Sequence, residues 1–332
     1  MGKKFIIYQM LPRLFGNRNS NCVHNGSLAE NGSGKFCDIS VKVLEELKKL
    51  SVTHLWYTGI IRHATDGDKT AKGKAGSPYA IKDYYDVNPY MAAHPENRMA
   101  EFEELVSRTH SQGLKVLIDF IPNHLSREYD SAVKPFDDRN FYPGRIHDGD
   151  WTDTVKLNYG SHDTWEKMRD ILMFWAAKGV DGFRCDMVEL VTVDFWEWCI
   201  PQIKKIYPDI IFIAEIYQPH NYHPYIRRGG FDYLYDKSGF YDTLRAISAG
   251  HTPASSLTSV WQGLGDFQPN MLNFLENHDE QRVASDFFIG DPRRSMAMLY
   301  VSLLFNTAPF MIYFGQELGE RGMETEGYSG VD

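Results

Sequence analysis

The sequence predicts an α/β protein folded as a (β/α)8 TIM barrel. Three observations carry that prediction. Eight short apolar runs of strand character recur along the chain, helical patterns fall between most of them, and no glycine-rich nucleotide loop follows the first run. Several runs are apolar on both faces, as buried parallel strands are. Strand then helix, repeated to eight, fits a closed barrel better than a doubly wound sheet.

The strand runs, in order, are Lys4–Leu11, Thr53–Gly59, Leu114–Ile121, Val180–Met187, Ile210–Ile216, Phe231–Tyr235, Met271–Leu275 and Pro309–Phe314. The helical patterns are Val41–Leu50, Arg98–Gln112, Thr164–Lys178, Val193–Tyr207, Gly239–Ser248 and Pro292–Phe305. Two places break the rhythm. Leu125–Asn158 is polar, with Pro, Gly, Asp and Trp, and reads as a short excursion between strand 3 and helix 3. After the eighth run the sequence turns Gly- and Glu-rich, with no convincing last helix to cover that strand. The domain reading is therefore a barrel formed by 1–124 and 159–332, incomplete at its C-terminus, with 125–158 as an insertion. The last helix and any C-terminal β-domain are expected to be absent from this chain.

Composition bounds the function. At 332 residues the length suits one large domain or two ordinary ones. Hydrophobic residues at 43% and charged residues at 24% are those of an ordinary globular protein. Lys+Arg minus Asp+Glu is 35 − 44, a net charge of −9, with no block of Lys/Arg, which argues against a nucleic-acid partner. No apolar run approaches the roughly 20 residues of a membrane span. Lys3 and Lys4 precede an apolar stretch, but Gln9, Pro12 and Arg13 interrupt it and no small-residue cleavage site follows, so a cytoplasmic location is expected. Cys22, Cys37, Cys185 and Cys199 show no metal spacing, and free thiols are expected. Aromatics at 14% suit either packing or a ligand groove.

In barrels of this kind the C-terminal strand ends carry function. Those ends hold Asp119, Asp186, Glu215 and Asp279. One such carboxylate is usually a cap or a salt bridge. Four, converging on one small space, repel each other at a cost that asks for a purpose. Arg184 lies two residues before Asp186, so the two side chains share a face, and a nearby guanidinium is expected to keep that carboxylate ionised, as a nucleophile requires. Glu215 follows Phe212, Ile213 and Ala214, a desolvated setting that disfavours the charged form and suits a general acid. Asp279, beside Asn277 and His278, suits a stabiliser of positive charge and a hydroxyl ligand. Two carboxyls driven toward opposite protonation states are the requirement for glycoside hydrolysis.

DFIPNH (Asp119–His124), GFRCDMVEL around Asp186, FIAEIY around Glu215 and FLENHDEQR around Asp279 resemble, in order, the four signature regions of the α-amylase family of glycoside hydrolases. VTHLWYTGI (Val52–Ile60), SPYAIKDYYDVNP (Ser77–Pro89) and MIYFGQELGE (Met311–Glu320) are similar to its accessory segments. The resemblance runs from Tyr8 to Gly319. It implies a retaining enzyme that cleaves α-1,4-glucosidic bonds of starch, glycogen or maltodextrins, with Asp186 as nucleophile, Glu215 as acid/base and Asp279 as transition-state stabiliser. It further implies that Arg184 orients Asp186, that His124 and His278 bond the sugar, that Tyr79 stacks on it, that Asp83 supports that wall, and that Asp119 is architectural.

Two departures bear on the substrate and the cofactor. Glu189 and Leu190 stand where many α-amylases carry Lys-His after the nucleophile, which touches the leaving-group side. Asn123 matches the family's calcium position, but Lys156 stands where many calcium-binding members have Asp, and an ammonium there repels a second cation. No cofactor is expected, calcium being disfavoured. A transglycosylase, an α-glucosidase of different linkage specificity, and a non-catalytic glucan-binding protein remain the alternatives. Oligomeric state is not readable from the sequence.

Overall fold

The computed structural model describes residues 4–130 and 135–322. β1 (Ile6–Met10) is buried along its whole length. A short helix α1 (Leu28–Asn31), closed by a Ser27/Glu30 capping box, leads to α2 (Val41–Lys49), whose cap is the Ser40 hydroxyl. β2 (His54–Tyr57) returns to the barrel and is followed by an antiparallel hairpin of β3 (Ile61–His63) and β4 (Ile81–Val87). α3 (Arg98–Ser111) then turns its Phe102, Leu105 and Val106 inward and feeds β5 (Lys115–Phe120). A second hairpin, β6 (His124–Ser126) with β7 (Thr154–Lys156), occupies the 125–158 excursion. The centre of that excursion, 131–134, lies outside the described residues.

The rest alternates. α4 (His162–Ala177), β8 (Gly182–Cys185), α5 (Val193–Ile206) and β9 (Ile211–Ala214) come first. α6 (Tyr222–Arg227), β10 (Tyr233–Tyr235), a π-turn over Lys237–Tyr241, α7 (Asp242–Ser248) and α8 (Ser256–Leu264) follow. β11 (Met271–Phe274), α9 (Met296–Leu304) and β12 (Phe310–Tyr313) complete the order. The eight strands β1, β2, β5, β8, β9, β10, β11 and β12 close a parallel barrel, with β12 paired back onto β1 through Ile6↔Phe310. All eight fall inside the sequence-predicted runs. The expected absence of a last helix and a C-terminal β-domain concerns chain beyond Gly322, outside the described residues.

Each barrel strand has two faces. Outward residues such as Tyr8, Leu55, Val116, Phe183 and Phe212 pack under the helices in one continuous core. Inward residues Ile7, Trp56, Leu117, Ile213, Tyr235, Leu272 and Met311 fill the barrel itself. Gly182 is required in that interior. A Cβ there would lie 2.5 Å from Ile211 Cγ1 and 2.6 Å from the Ile211 carbonyl oxygen. The four cysteines are free, Cys22 and Cys37 exposed and Cys185 and Cys199 buried. No described helix is long and apolar enough to cross a membrane.

Candidate active site

Moving two residues up a strand keeps the same face. Above Ile7, Leu117, Gly182 and Ile213 the inward side chains become Gln9, Asp119, Arg184 and Glu215. The apolar plug of the barrel thus ends in a polar layer at the C-terminal rim. The register pairs Asp119 with Arg184 across β5 and β8, and Cys185 with Ala214 across β8 and β9. The next residues along that second pairing are Asp186 and Glu215.

Arg184 is the hub. It is 1% exposed and its guanidinium carbon lies 5.5–5.6 Å from the ring centres of Trp56, Tyr79 and Tyr235. Nη1 donates to Asp186 Oδ1 at 2.8 Å and lies 3.7 Å from Asp119 Oδ1. Nη2 lies 2.7 Å from Glu215 Oε1 and 4.0 Å from Asp279 Oδ2, the first an ion pair set off the hydrogen-bonding direction. The four predicted strand-end acids are therefore gathered on one cation.

Burial, and then the neighbouring Glu215 carboxylate, push Asp186 well above the ordinary carboxylate range, against the pull of Arg184. Burial also raises Asp119. The sequence reading had Arg184 keeping Asp186 charged. The guanidinium favours the charged carboxylate, and desolvation and the second acid oppose it.

Glu215 is held on both oxygens. Oε2 accepts the Met187 N–H at 2.8 Å and Oε1 accepts the Tyr217 hydroxyl at 2.7 Å. Asp279 is the most solvent-open of the four acids, its side chain 32% exposed, and lies 3.2 Å from His278 Nε2. Tyr79 stacks on His278 at 5.5 Å with planes 22° apart, and its hydroxyl bonds His278 Nε2. Gln9 Nε2 lies 2.7 Å from His278 Nδ1. An amide nitrogen only donates, so with this amide orientation Nδ1 accepts and the ring proton belongs on Nε2, facing Tyr79 and Asp279.

The remaining predicted residues lie on the hairpins beside this cluster. His124 begins β6, where burial lowers it to about 4 and leaves the imidazole neutral, with Trp151 at 5.2 Å. Asp83 is buried on β4 and accepts the Tyr85 N–H at 3.0 Å. Glu189 turns away from the cluster. Its carboxylate takes the Tyr217 N–H, the Gln218 N–H and the Asn221 amide at 3.1–3.2 Å.

The residues at the family's calcium position pair with one another. Lys156 Nζ lies 2.7 Å from Asp148 Oδ1, and Asn123 Nδ2 donates to Asp148 Oδ2 at 2.8 Å. Both carboxylate oxygens are occupied, and among the described residues of 123–158 the buried side-chain oxygens without a hydrogen-bond partner are Asn123 Oδ1 and Asp153 Oδ2. Calcium takes six to eight oxygens. No group of three His, Cys, Asp or Glu residues able to hold a metal occurs among the described residues. An ammonium in contact with the one carboxylate does not fit a calcium ion.

The family model described as alpha amylase, catalytic domain, matches residues 9–153 and 147–332. The chain belongs to this family. Among its relatives, Alpha-amylase 3 of Dictyoglomus thermophilum is 24% identical, over 91% of this chain and 64% of that protein. Trehalose-6-phosphate hydrolase of Bacillus subtilis is 29% identical, over 58% of this chain and 36% of that protein. The chain spans less than two thirds of the length of either relative. An alpha-amylase from Lactobacillus plantarum has a solved structure that superposes with a TM-score of 0.79 at 26% identity, covering 99% of this chain and 74% of that one.

In this alpha-amylase family member, sequence reasoning left out Trp56, Tyr235, Gln9 and Tyr217. Tyr217 carried a usable signal, because two residues beyond Glu215 in extended chain is the same face. Trp56, Tyr235 and Gln9 come from other strands, and only barrel closure brings them to Arg184 and His278.

Proposed function

We propose that the chain is the catalytic barrel of a retaining glycoside hydrolase acting on α-1,4-linked glucose in starch, glycogen or maltodextrins. The carrying observation is that one guanidinium bridges Asp186 and Glu215. Such bridging favours the short separation, about 5 Å, of retaining pairs over the wider gap that admits a water. In the first step Asp186 attacks the anomeric carbon as its C–O bond to the leaving sugar breaks. Glu215 passes its proton to that departing oxygen, and a glycosyl ester remains on Asp186. In the second step Glu215, now a carboxylate, takes a proton from water, which displaces Asp186 and restores the starting anomer. Asp279 faces the developing positive charge and the sugar hydroxyls. Tyr79 and His278 supply a flat wall, and His124 and Asp83 flank it.

The relatives' names support the substrate class. They include amylases, a neopullulanase and an α-1,4-glucan:maltose-1-phosphate maltosyltransferase. The last keeps the alternative of transfer in view, with a sugar in place of water in the second step. The reading needs no metal, because Lys156 supplies the positive charge at the calcium position.

Maltotriose cleavage followed by proton NMR tests the proposal. The product with the α configuration should appear first, and Asp186→Asn should lower kcat by at least about a thousandfold with the fold intact. A β product, or an Asp186→Asn variant as active as wild type, sinks it. Longer oligomers among the products would move the reading to transfer.

A further inference from the structure

Glu215 directly follows β9, and Tyr217 lies two residues further on, before the turn that begins at Pro219. The Tyr217 side chain comes back to Glu215. Its hydroxyl donates to Glu215 Oε1 at 2.7 Å. A tyrosine at the mouth of a barrel has many other places to go, and four hydrogen bonds hold it and its turn here. The Tyr217 carbonyl accepts the Ser238 hydroxyl at 2.6 Å. The Tyr217 N–H goes to Glu189 Oε1 at 3.2 Å, and the same carboxylate takes the following Gln218 N–H and the Asn221 amide. A carboxylate that accepts two consecutive backbone N–H groups and a side-chain amide fixes the whole turn.

We infer that Tyr217 is a positioning residue for Glu215 and that Glu189 is the residue that sets Tyr217 in place. The inference rests on the reading of Glu215 as the acid/base. Glu189 occupies the position at which the sequence departs from many α-amylases. Here it is a half-buried strut that holds the backbone of the Tyr217–Gln218 turn.

The chemistry follows from where the proton goes. As Glu215 gives its proton to the departing glycosidic oxygen it becomes a carboxylate. A hydrogen bond to a carboxylate is roughly twice as strong as one to a neutral acid. The Tyr217 hydroxyl therefore tightens on Oε1 as the bond breaks, and so acts mainly in the transition state. Meanwhile the Met187 N–H fixes Oε2. The two donors hold the plane of the carboxyl. Substrates with a poor leaving group depend on this proton, whereas a nitrophenolate departs without it.

The test compares maltotriose with 4-nitrophenyl α-maltoside for wild type, Glu215→Gln, Tyr217→Phe, Glu189→Ala and Glu189→Gln, each checked by circular dichroism and thermal unfolding. Tyr217→Phe should lower kcat on maltotriose about tenfold, with KM within about twofold, and leave the aryl substrate within about twofold. Glu189→Ala should repeat that pattern, and Glu189→Gln, which keeps one acceptor oxygen, should recover most of it. Equal losses on both substrates, an effect on KM alone, or no effect overturns the inference. If Tyr217→Phe does not fold, the Glu189 pair decides on the same criteria. Selective loss in Glu215→Gln without selective loss in Tyr217→Phe overturns this inference alone. A wild-type chain silent on both substrates, or a Glu215→Gln variant without selective loss, overturns the functional reading and this inference with it.

Discussion

Arg184 and Lys156 are both basic side chains set against acids near the barrel mouth, and they are used in opposite ways. Lys156 meets one carboxylate, Asp148, whose second oxygen is taken by Asn123. Charge is matched one to one, and the side chains keep partial contact with water, 19% and 27% exposed. Arg184 lies under three aromatic rings with four carboxylates within 4.0 Å. Acid exceeds base there, and burial pushes Asp186 and Asp119 toward the protonated form. An ammonium is a point charge that neutralises. A planar guanidinium is a fork that can bridge two acids and leave them unequal. The first arrangement braces a hairpin, and the second gathers four acids on one buried cation.

The largest effect should come from removing the fork. Arg184→Leu leaves buried carboxyls without their cation and should destabilise the chain by about 3–5 kcal/mol in urea unfolding at pH 7. The deficit should shrink as pH is lowered, because burial raises Asp186 and Asp119 and their protonated forms need no cation. A loss under about 1 kcal/mol would show that Arg184 is not balancing them.

A third acid sharpens the contrast because no cation is paired with it among the described residues. Asp236 is fully buried. Its Oδ1 accepts the Phe240 N–H at 2.9 Å, its Oδ2 has no partner, and burial pushes it up to about 6 from 3.8. The folded state keeps this proton to about pH 6 and the unfolded chain releases it near 3.8. The group's contribution to stability therefore falls as pH rises from about 4 to 6 and stays low above that, by about 3 kcal/mol in all. Asp236→Asn cannot titrate and should lack this slope, so denaturation midpoints of the two proteins should diverge through that window. Parallel curves would refute the assignment.

The smallest effect should come at the other cation. Lys156→Met removes a half-buried pair and should cost about 1 kcal/mol. Adding EDTA to wild type should leave the melting temperature unchanged. A chelator-dependent melting temperature would mean that a metal, not Lys156, holds that hairpin.

The strands were legible because each is a short run buried on both faces, and Arg184 and Asp186 could be placed on one side by the two-residue period alone. The two hairpins were not. Ile61–His63 and Thr154–Lys156 are three-residue strands in polar, turn-rich sequence, and they pair only because the barrel rim supports them. α6 and α8 escaped for a related reason, one being six residues with an internal proline and the other lying in Ser/Thr/Gly-rich chain. The upward push on Asp186 was hidden more deeply. It depends on Glu215 standing beside it across β8 and β9, and no pattern within either segment contains that neighbour.

Met187 has a backbone consequence of its own. It adopts a left-handed conformation at φ 41°, uncommon for a side chain of its kind, and that twist aims its N–H at Glu215. The tension is local and sits directly after the residue proposed to carry the sugar ester. A glycine there would relax the kink and steady the fold, yet it would let the amide wander. Selection for hardiness at this position would therefore run against selection for speed.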